Sequence, residues 1–432
     1  MQLSTLLSRG TAVLKGPIAR GSAIGLSLRL GGLALMFVQA VIAARLLGAE
    51  QYGVVTLLLA IVQIAAAFAL MGFGSFAVAE IPRGAKQGKF LSQAAKRIAG
   101  LSLLVLPATY WASFSLLGQL EWYLALPLLL SIPALAGIQL FRGVALGLGR
   151  PFWGVAPGEV IRPALLVAAL IITALFVQAN SALFIALYMG TAVLALCIAL
   201  PGVAKSKAPL QAGQQNASSA PERWDRAALP FLGIHLATIL QLELATLMLG
   251  LLATPEAVGL FQPIARISML LTLPSYALSV AFNPRISALY AQGNTEEIRT
   301  LAHKHTLAAT FLVTLGGLAI GLCAPFLLWL FGSEFAVAAP LVWFLVAGRI
   351  VLCACGPGAE LLAMTGRSNH ALGCLVASLA AEALLAAFLI PAYGLVGVAV
   401  AVALGLALRG GLLAAASRSA LGIGLANDGR RC

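Results

Sequence analysis

Three arginines lie inside long apolar segments, where a charged side chain is difficult to accommodate. At ~1.5 Å per residue, Arg29 lies about 10 Å, Arg266 about 12 Å and Arg349 about 18 Å from the start of its segment. An ionised side chain at the centre of a bilayer costs about 2.5–3.5 kcal/mol, so such residues are functional candidates by default. Guanidinium groups bind phosphate oxygens through paired, charge-assisted hydrogen bonds. The three arginines are therefore candidate ligands of a compact, multiply charged anion. The alternative is that each pairs with an intramembrane acid or caps a neighbouring helix.

Carboxylates also occur within the apolar segments. Glu243 and Glu382 lie deepest, which makes them candidates for binding a coupling H+ or Na+ ion. The alternative for each is a fixed salt bridge to one of the arginines. Glu159 and Arg162 are three residues apart, and we expect an ordinary pair on a helix surface.

These residues lie on apolar segments that are long enough to cross about 30 Å of hydrocarbon as helices. Twelve such segments are predicted over residues 22–44, 52–78, 98–118, 122–146, 158–178, 182–203, 227–252, 258–281, 304–330, 337–363, 371–390 and 394–416. The chain is 61% hydrophobic and only 9% charged, and it contains no stretch polar enough for a second, soluble domain. The sequence predicts an all-α polytopic membrane protein.

Basic residues concentrate in alternate connections between the predicted spans. They follow spans 2, 4, 6, 8 and 10, and examples are Arg83, Lys89, Arg150, Lys205, Arg285 and Arg367. By the positive-inside rule, both termini are predicted to be cytoplasmic. The formal net charge of +13 then reflects the membrane topology, and the basic residues are expected to contact anionic lipid. We expect no nucleic-acid partner. No cofactor and no metal site are predicted.

The segments divide six and six around a polar stretch. We predict an interfacial segment at 1–21, a six-helix bundle at 22–203, a linker at 204–226, a second bundle at 227–416 and a tail at 417–432. The word Glu-x-x-Gly occurs at Glu50–Gly53 and again at Glu256–Gly259, as expected for two parallel repeats. Such repeats are common in transporters, with the substrate site between them.

Two local patterns predict irregular or close-packed helices. Pro263 and Pro274 bracket Arg266, so we expect an irregular helix in span 8. Gly143 and Gly147 have the spacing that permits close helix approach.

Several sequence motifs resemble those of one family of transporters. One motif looks like the hallmark of bacterial polysaccharide and oligosaccharide-lipid flippases, and it reads Ala44-Arg45-Leu46-Leu47-Gly48-Ala49-Glu50-Gln51-Tyr52-Gly53. Supporting motifs are Leu330–Phe335, Thr365–Arg367 and Pro391–Gly397. These flippases belong to the multidrug/oligosaccharidyl-lipid/polysaccharide (MOP) exporter superfamily.

The resemblance implies two six-helix bundles that form a V around a cationic cavity in a bacterial inner membrane. It implies export of an undecaprenyl-pyrophosphate-linked O-antigen, capsule or exopolysaccharide repeat to the periplasmic leaflet, with polysaccharide assembly enzymes as partners. Two alternatives stay open: a cation-coupled multidrug exporter of the same superfamily, and a membrane-embedded polymerase or ligase. Every predicted periplasmic connection is short, which favours a transporter over an enzyme.

Overall fold

The computed structural model describes residues 17–83, 85, 87–117, 122–176, 180–204 and 224–421. Within these ranges the regular structure is helical throughout. The α-helices are α1 Pro17–Leu70, α2 Phe73–Glu80, α3 Gln87–Leu117, α4 Trp122–Gly147, α5 Pro151–Ala156, α6 Arg162–Phe176, α7 Ser181–Ala204, α8 Trp224–Leu252, α9 Pro255–Met269, α10 Thr272–Ala291, α11 Thr295–Trp329, α12 Val342–Ala354, α13 Gly358–Met364 and α14 Ser368–Leu421. A π-helical turn, Pro157–Ile161, joins α5 to α6, and a 3-10 helix, Ser333–Leu341, precedes α12.

Ten stretches of helix in the described ranges are long and apolar enough to cross a membrane. The two longest are α1 and α14, of 54 residues each, and each contains a single residue with non-helical backbone angles. Counting the two halves of each separately gives twelve, so the predicted all-α polytopic fold is confirmed.

Both breaks fall on a glycine. Gly48 has φ 73° and ψ 171°, and Gly394 has φ 53° and ψ −124°. A positive φ is open to glycine at little cost, whereas a Cβ atom makes it unfavourable. The sequence predicted connections of several residues at these two places. The structure instead changes direction at one glycine, without a loop.

The described residues form two compact units. The first contains the residues up to Leu46 together with Ile61–Leu236, and the second contains Leu47–Ala60 together with the residues from Ala237 onward. Residues 1–16, 205–223 and 422–432 lie outside the described ranges. Most of the predicted interfacial segment, linker and tail therefore lies outside them too.

In the first unit, α2 packs directly on α4. A Cβ atom added to Gly143 would come 1.8 Å from the Gly74 carbonyl oxygen, and one added to Gly147 would come 2.8 Å from the Ala77 oxygen. The Gly143–Gly147 spacing therefore permits the predicted close approach, and the partner is α2.

The predicted irregularity near Arg266 is confirmed in the second unit. Helix α9 ends at Met269 and α10 begins at Thr272, so the span is interrupted between Pro263 and Pro274. Pro274 is the third residue of α10, within the first turn, where a missing N–H costs no intrahelical hydrogen bond.

Candidate functional site

Arg266 lies in the last turn of α9, where the helix is interrupted. The helix is well defined at its start, because the Thr254 hydroxyl accepts a hydrogen bond from Ala257 N at 3.3 Å and Pro255 occupies the first turn. One turn before Arg266, buried Gln262 donates to Thr246 Oγ1 of α8 at 2.6 Å. The Arg266 side chain is half-buried, and it forms no ion pair with any carboxylate in the described ranges. A cation on a membrane helix is therefore left available to an anionic ligand.

The second half of α1 crosses α9 at backbone contact. A Cβ atom on Gly53 would come 1.7 Å from the Pro255 oxygen, and one on Gly259 would come 1.9 Å from the Ala49 oxygen. The two Glu-x-x-Gly motifs of the sequence therefore contact each other through their glycines. Buried Tyr52, beside Gly53, lies within electrostatic range of Arg266. This crossing positions Arg266 relative to α1.

Residues of the 3-10 helix stabilise the break in α1 at Gly48. Glu334 Oε1 accepts a hydrogen bond from Ala49 N at 2.9 Å, and the neighbouring Phe335 packs edge-on against Tyr52 with ring centroids 6.4 Å apart. The carboxylate serves as a cap for the helix that restarts after Gly48. Two of the motifs that carried the family resemblance, Ala44–Gly53 and Leu330–Phe335, therefore contact each other at this junction.

We predict that Glu334→Ala lowers stability by about 1 kcal/mol, because the Ala49 N–H loses its acceptor at a helix start. The readout is the melting temperature of the purified protein in detergent. Glu334→Gln, which keeps a side-chain oxygen, should lose less. Glu50→Gln is the matched control, since Glu50 is exposed and belongs to the same junction. Equal losses for Glu50→Gln and Glu334→Ala would argue against a capping role.

Arg349 and Glu382 come together on α12 and α14. Glu382 is 8% exposed and interacts electrostatically with Arg349 and with Arg409 of the second half of α14. A Cβ atom on Gly405, one turn before Arg409, would come 2.7 Å from Glu382 Oε2. The missing side chain at Gly405 is therefore what makes room for the Glu382 carboxylate.

The same cluster extends towards α10, α11 and α13. Glu360 accepts a hydrogen bond from Ser279 Oγ at 3.3 Å and interacts electrostatically with Arg409. Buried His305 lies against Phe282, with ring centroids 4.6 Å apart, and is within electrostatic range of Glu360. The cluster holds two arginines and two glutamates, so its formal charges balance. Arg409 was not among the residues predicted from the sequence, although it lies inside an apolar segment, which is the same signal that identified Arg349.

Arg29 lies in the first unit, and its side chain is exposed in the chain itself. Three residues later, Gly32 approaches the π-helical turn so closely that an added Cβ atom would come 2.5 Å from the Glu159 oxygen. Glu159 Oε1 forms an ion pair with Arg142 Nη1 at 2.8 Å. Arg29 is therefore placed on the helix face that approaches the Arg142–Glu159 pair.

The predicted pair between Glu159 and Arg162 is wrong. The Arg162 guanidinium lies 4.7 Å from the ring centroid of Tyr188, as a cation–π contact, while Glu159 pairs with Arg142 of α4. The π-helical turn at Pro157–Ile161 changes the helical phase just before Arg162, so the simple i, i+3 geometry does not apply.

Glu243 is 9% exposed and lies on α8, one turn before Thr246. It is in the second unit, with Arg266, Arg349 and Glu382, whereas Arg29 is in the first. Of the five residues singled out from the sequence, the structure joins Arg349 and Glu382 in one cluster.

Two family models match the chain. One, described as polysaccharide biosynthesis protein, matches residues 18–290, and the other, MatE, matches residues 232–389. No curated protein matches the chain. The first model covers more than half of the chain.

Several solved structures share the fold. A multidrug resistance MATE family transporter of the MOP superfamily, in an inward-facing conformation, aligns with TM-score 0.65 and 18% identity over 93% of this chain and 98% of its own. The lipid II flippase MurJ, in an inward closed conformation, aligns with TM-score 0.65 and 12% identity over 91% of this chain and 86% of its own. A MOP superfamily transporter from Pyrococcus furiosus, described as having a binding pocket of reverse polarity, aligns with TM-score 0.64 and 16% identity over 95% and 97% of the two chains. The resemblance to the MOP superfamily is confirmed: this multi-pass membrane protein has the fold of the superfamily's transporters, and it belongs to the polysaccharide biosynthesis protein family.

Proposed function

We propose that the protein flips an undecaprenyl-pyrophosphate-linked oligosaccharide from the cytoplasmic to the periplasmic leaflet of a bacterial inner membrane. The cargo would be an O-antigen, capsule or exopolysaccharide repeat, delivered by the enzymes that assemble it. The protein itself acts as a secondary transporter and not as an enzyme.

The observation that carries the proposal is Arg266. This residue is half-buried on a membrane helix and forms no ion pair with any described carboxylate, in a chain of the polysaccharide biosynthesis family. A pyrophosphate presents the oxygens that a guanidinium binds in pairs. Arg29 would serve as a second phosphate ligand, and Arg349 as a third, in equilibrium with its interaction with Glu382.

Alternating access would move the bundle of residues 22–203 against that of residues 227–416, with both termini cytoplasmic. The basic residues in alternate connections support this orientation. Glu243 and Glu382 are the candidates for binding the H+ or Na+ ion that drives the cycle, because both are buried carboxylates on membrane helices.

We predict that Arg266→Ala slows transfer of a lipid-pyrophosphate oligosaccharide in proteoliposomes by about ten- to a hundredfold. The loss of one hydrogen bond to a charged group is worth about 1.5–3 kcal/mol, and 1.4 kcal/mol corresponds to a tenfold change. Arg29→Ala should act in the same direction, and Arg266→Lys should retain part of the rate.

The matched control is Arg285→Ala, since Arg285 is an exposed arginine on the adjacent helix α10. All variants are compared at equal amounts of reconstituted protein. If both Arg29→Ala and Arg266→Ala transfer the lipid at the wild-type rate, the arginines are not the phosphate ligands. If the wild type transfers no lipid-linked oligosaccharide, the flippase proposal itself fails.

A second candidate function is cation-coupled multidrug export. The MatE model matches residues 232–389, which contain both candidate carboxylates. The same proteoliposomes distinguish the two functions when they are loaded with a fluorescent organic cation. Export of the cation that is lost in Glu243→Gln, with no transfer of lipid-linked oligosaccharide, would support the exporter.

A further inference from the structure

A pocket of about 390 Å³ lies in the second unit, and none of its lining residues belongs to the cluster around Glu382. It is bounded by the first half of α11, the connection between α12 and α13, and the last turns of α14. The connection creates the concavity, because α12 ends at Ala354 and Gly356 takes φ 92° before α13 begins. A Cβ atom on Gly356 would come 3.0 Å from Thr306 Oγ1, so a larger residue there would intrude on the pocket wall.

The rim of the pocket is basic. Arg299 and His303 lie on successive turns of α11, and Arg418 faces them from α14. None of the three forms an ion pair with a carboxylate in the described part of the chain. Arg418 is within electrostatic range of Cys355, which places its charge at the α12–α13 connection. The residues that line the pocket include no aspartate or glutamate.

The pocket becomes apolar with depth along α11. Leu307 lines it two turns beyond Arg299, about 12 Å along the axis. Thr310 Oγ1, further in, is buried without a hydrogen-bond partner among the described residues.

The exposed apolar face of α11 continues from Leu307. Its members are Leu307, Phe311, Leu315, Leu318 and Leu322, between 48% and 76% exposed. Their spacing of three and four residues gives one continuous stripe on a membrane-spanning helix. A ligand that binds the basic rim through its charged group could therefore pack an apolar chain against this stripe.

We propose that this pocket binds an anionic glycerophospholipid, with its phosphodiester between Arg299, His303 and Arg418 and an acyl chain along the Leu307 stripe. Basic pockets between membrane helices at the cytoplasmic side bind anionic headgroups in this way. A soluble anion would use the rim alone, whereas a phospholipid uses both the rim and the stripe. The inference rests on the proposed orientation of the chain but not on the proposed cargo.

The test uses the full-length protein, delipidated in a neutral detergent. Phosphatidylglycerol, phosphatidylcholine, inorganic phosphate and a polyprenyl pyrophosphate are each titrated while the melting temperature and lipid retention by native mass spectrometry are measured. We expect phosphatidylglycerol to raise the melting temperature by several degrees, and phosphatidylcholine to do so much less. In Arg299→Gln/Arg418→Gln the apparent affinity for phosphatidylglycerol should fall at least tenfold.

Arg285→Gln is the control, because Arg285 is exposed and does not line the pocket. The single variants Arg418→Gln and Arg299→Lys provide the same comparison if the double variant folds poorly. Equal affinity in wild type and variants would overturn the proposal. So would an equal response to inorganic phosphate, which indicates a free-anion site, or tighter binding of the polyprenyl pyrophosphate, which indicates a substrate site. Since lipid binding is measured without transfer, its failure leaves the flippase proposal standing.

Discussion

Alanine at Gly259 should lower the melting temperature of the purified protein by several degrees and reduce transport at least tenfold. The new methyl group would lie 1.9 Å from the Ala49 carbonyl oxygen, about half of a normal contact distance, and the obstructing atom is backbone. Overpacking of this kind costs about 1–3 kcal/mol even where side chains can yield. Here α1 and α9 must separate, and Ala49 also holds the hydrogen bond to Glu334.

Gly53→Ala should act in the same way, because its methyl group would lie 1.7 Å from the Pro255 oxygen. The matched control is Gly373→Ala in α14, where an added Cβ atom meets nothing within 4 Å. That substitution should be neutral or slightly stabilising, since alanine favours a helix over glycine by about 1 kcal/mol. A Gly259→Ala variant as stable as Gly373→Ala would show that the two helices can separate at little cost.

Glu382→Gln should destabilise the protein by about 1–3 kcal/mol, because it removes a buried acid that interacts electrostatically with Arg349 and Arg409. Arg349 and Arg409 each have a buried Nε atom without a hydrogen-bond partner in the described residues, and they interact with each other unfavourably. Without the Glu382 carboxylate, their mutual repulsion is no longer offset by this acid. The melting temperature in detergent reports the loss.

A double-mutant cycle separates this structural role from ion coupling. In Glu382→Gln/Arg349→Gln one positive charge is removed together with the negative one, so stability should partly return, with a coupling of about 0.5–3 kcal/mol. Glu296→Gln, at an exposed position of α11, is the control. If the double variant regains stability, and the gradient response of transport is kept in Arg349→Gln alone but lost in the double variant, Glu382 carries both roles. Additive losses would mean that Arg349 and Glu382 are energetically independent.

Sequence patterns were sufficient where the relevant physics is local along the chain. Hydropathy over about 20 residues predicted the twelve apolar helices, and the prolines around Arg266 predicted the interruption between Met269 and Thr272. The Gly143–Gly147 spacing predicted a close approach without identifying α2 as the partner. The Glu159–Arg162 pair failed because a π-helical turn, which hydropathy does not reveal, changes the local phase.

The amino-acid sequence alone therefore determined the class of fold, the number of apolar helices and which charged residues lie inside them. Tertiary structure decided what those residues face. Gly53 and Gly259 are 206 positions apart, and Glu334 reaches Ala49 across 285 positions, so no local pattern encodes either contact. Glu382 meets Arg349 and Arg409 because Gly405 leaves space beside its carboxylate. Helix lengths follow from the free energy of transfer into the bilayer, whereas lateral neighbours follow from side-chain packing between helices distant in the chain.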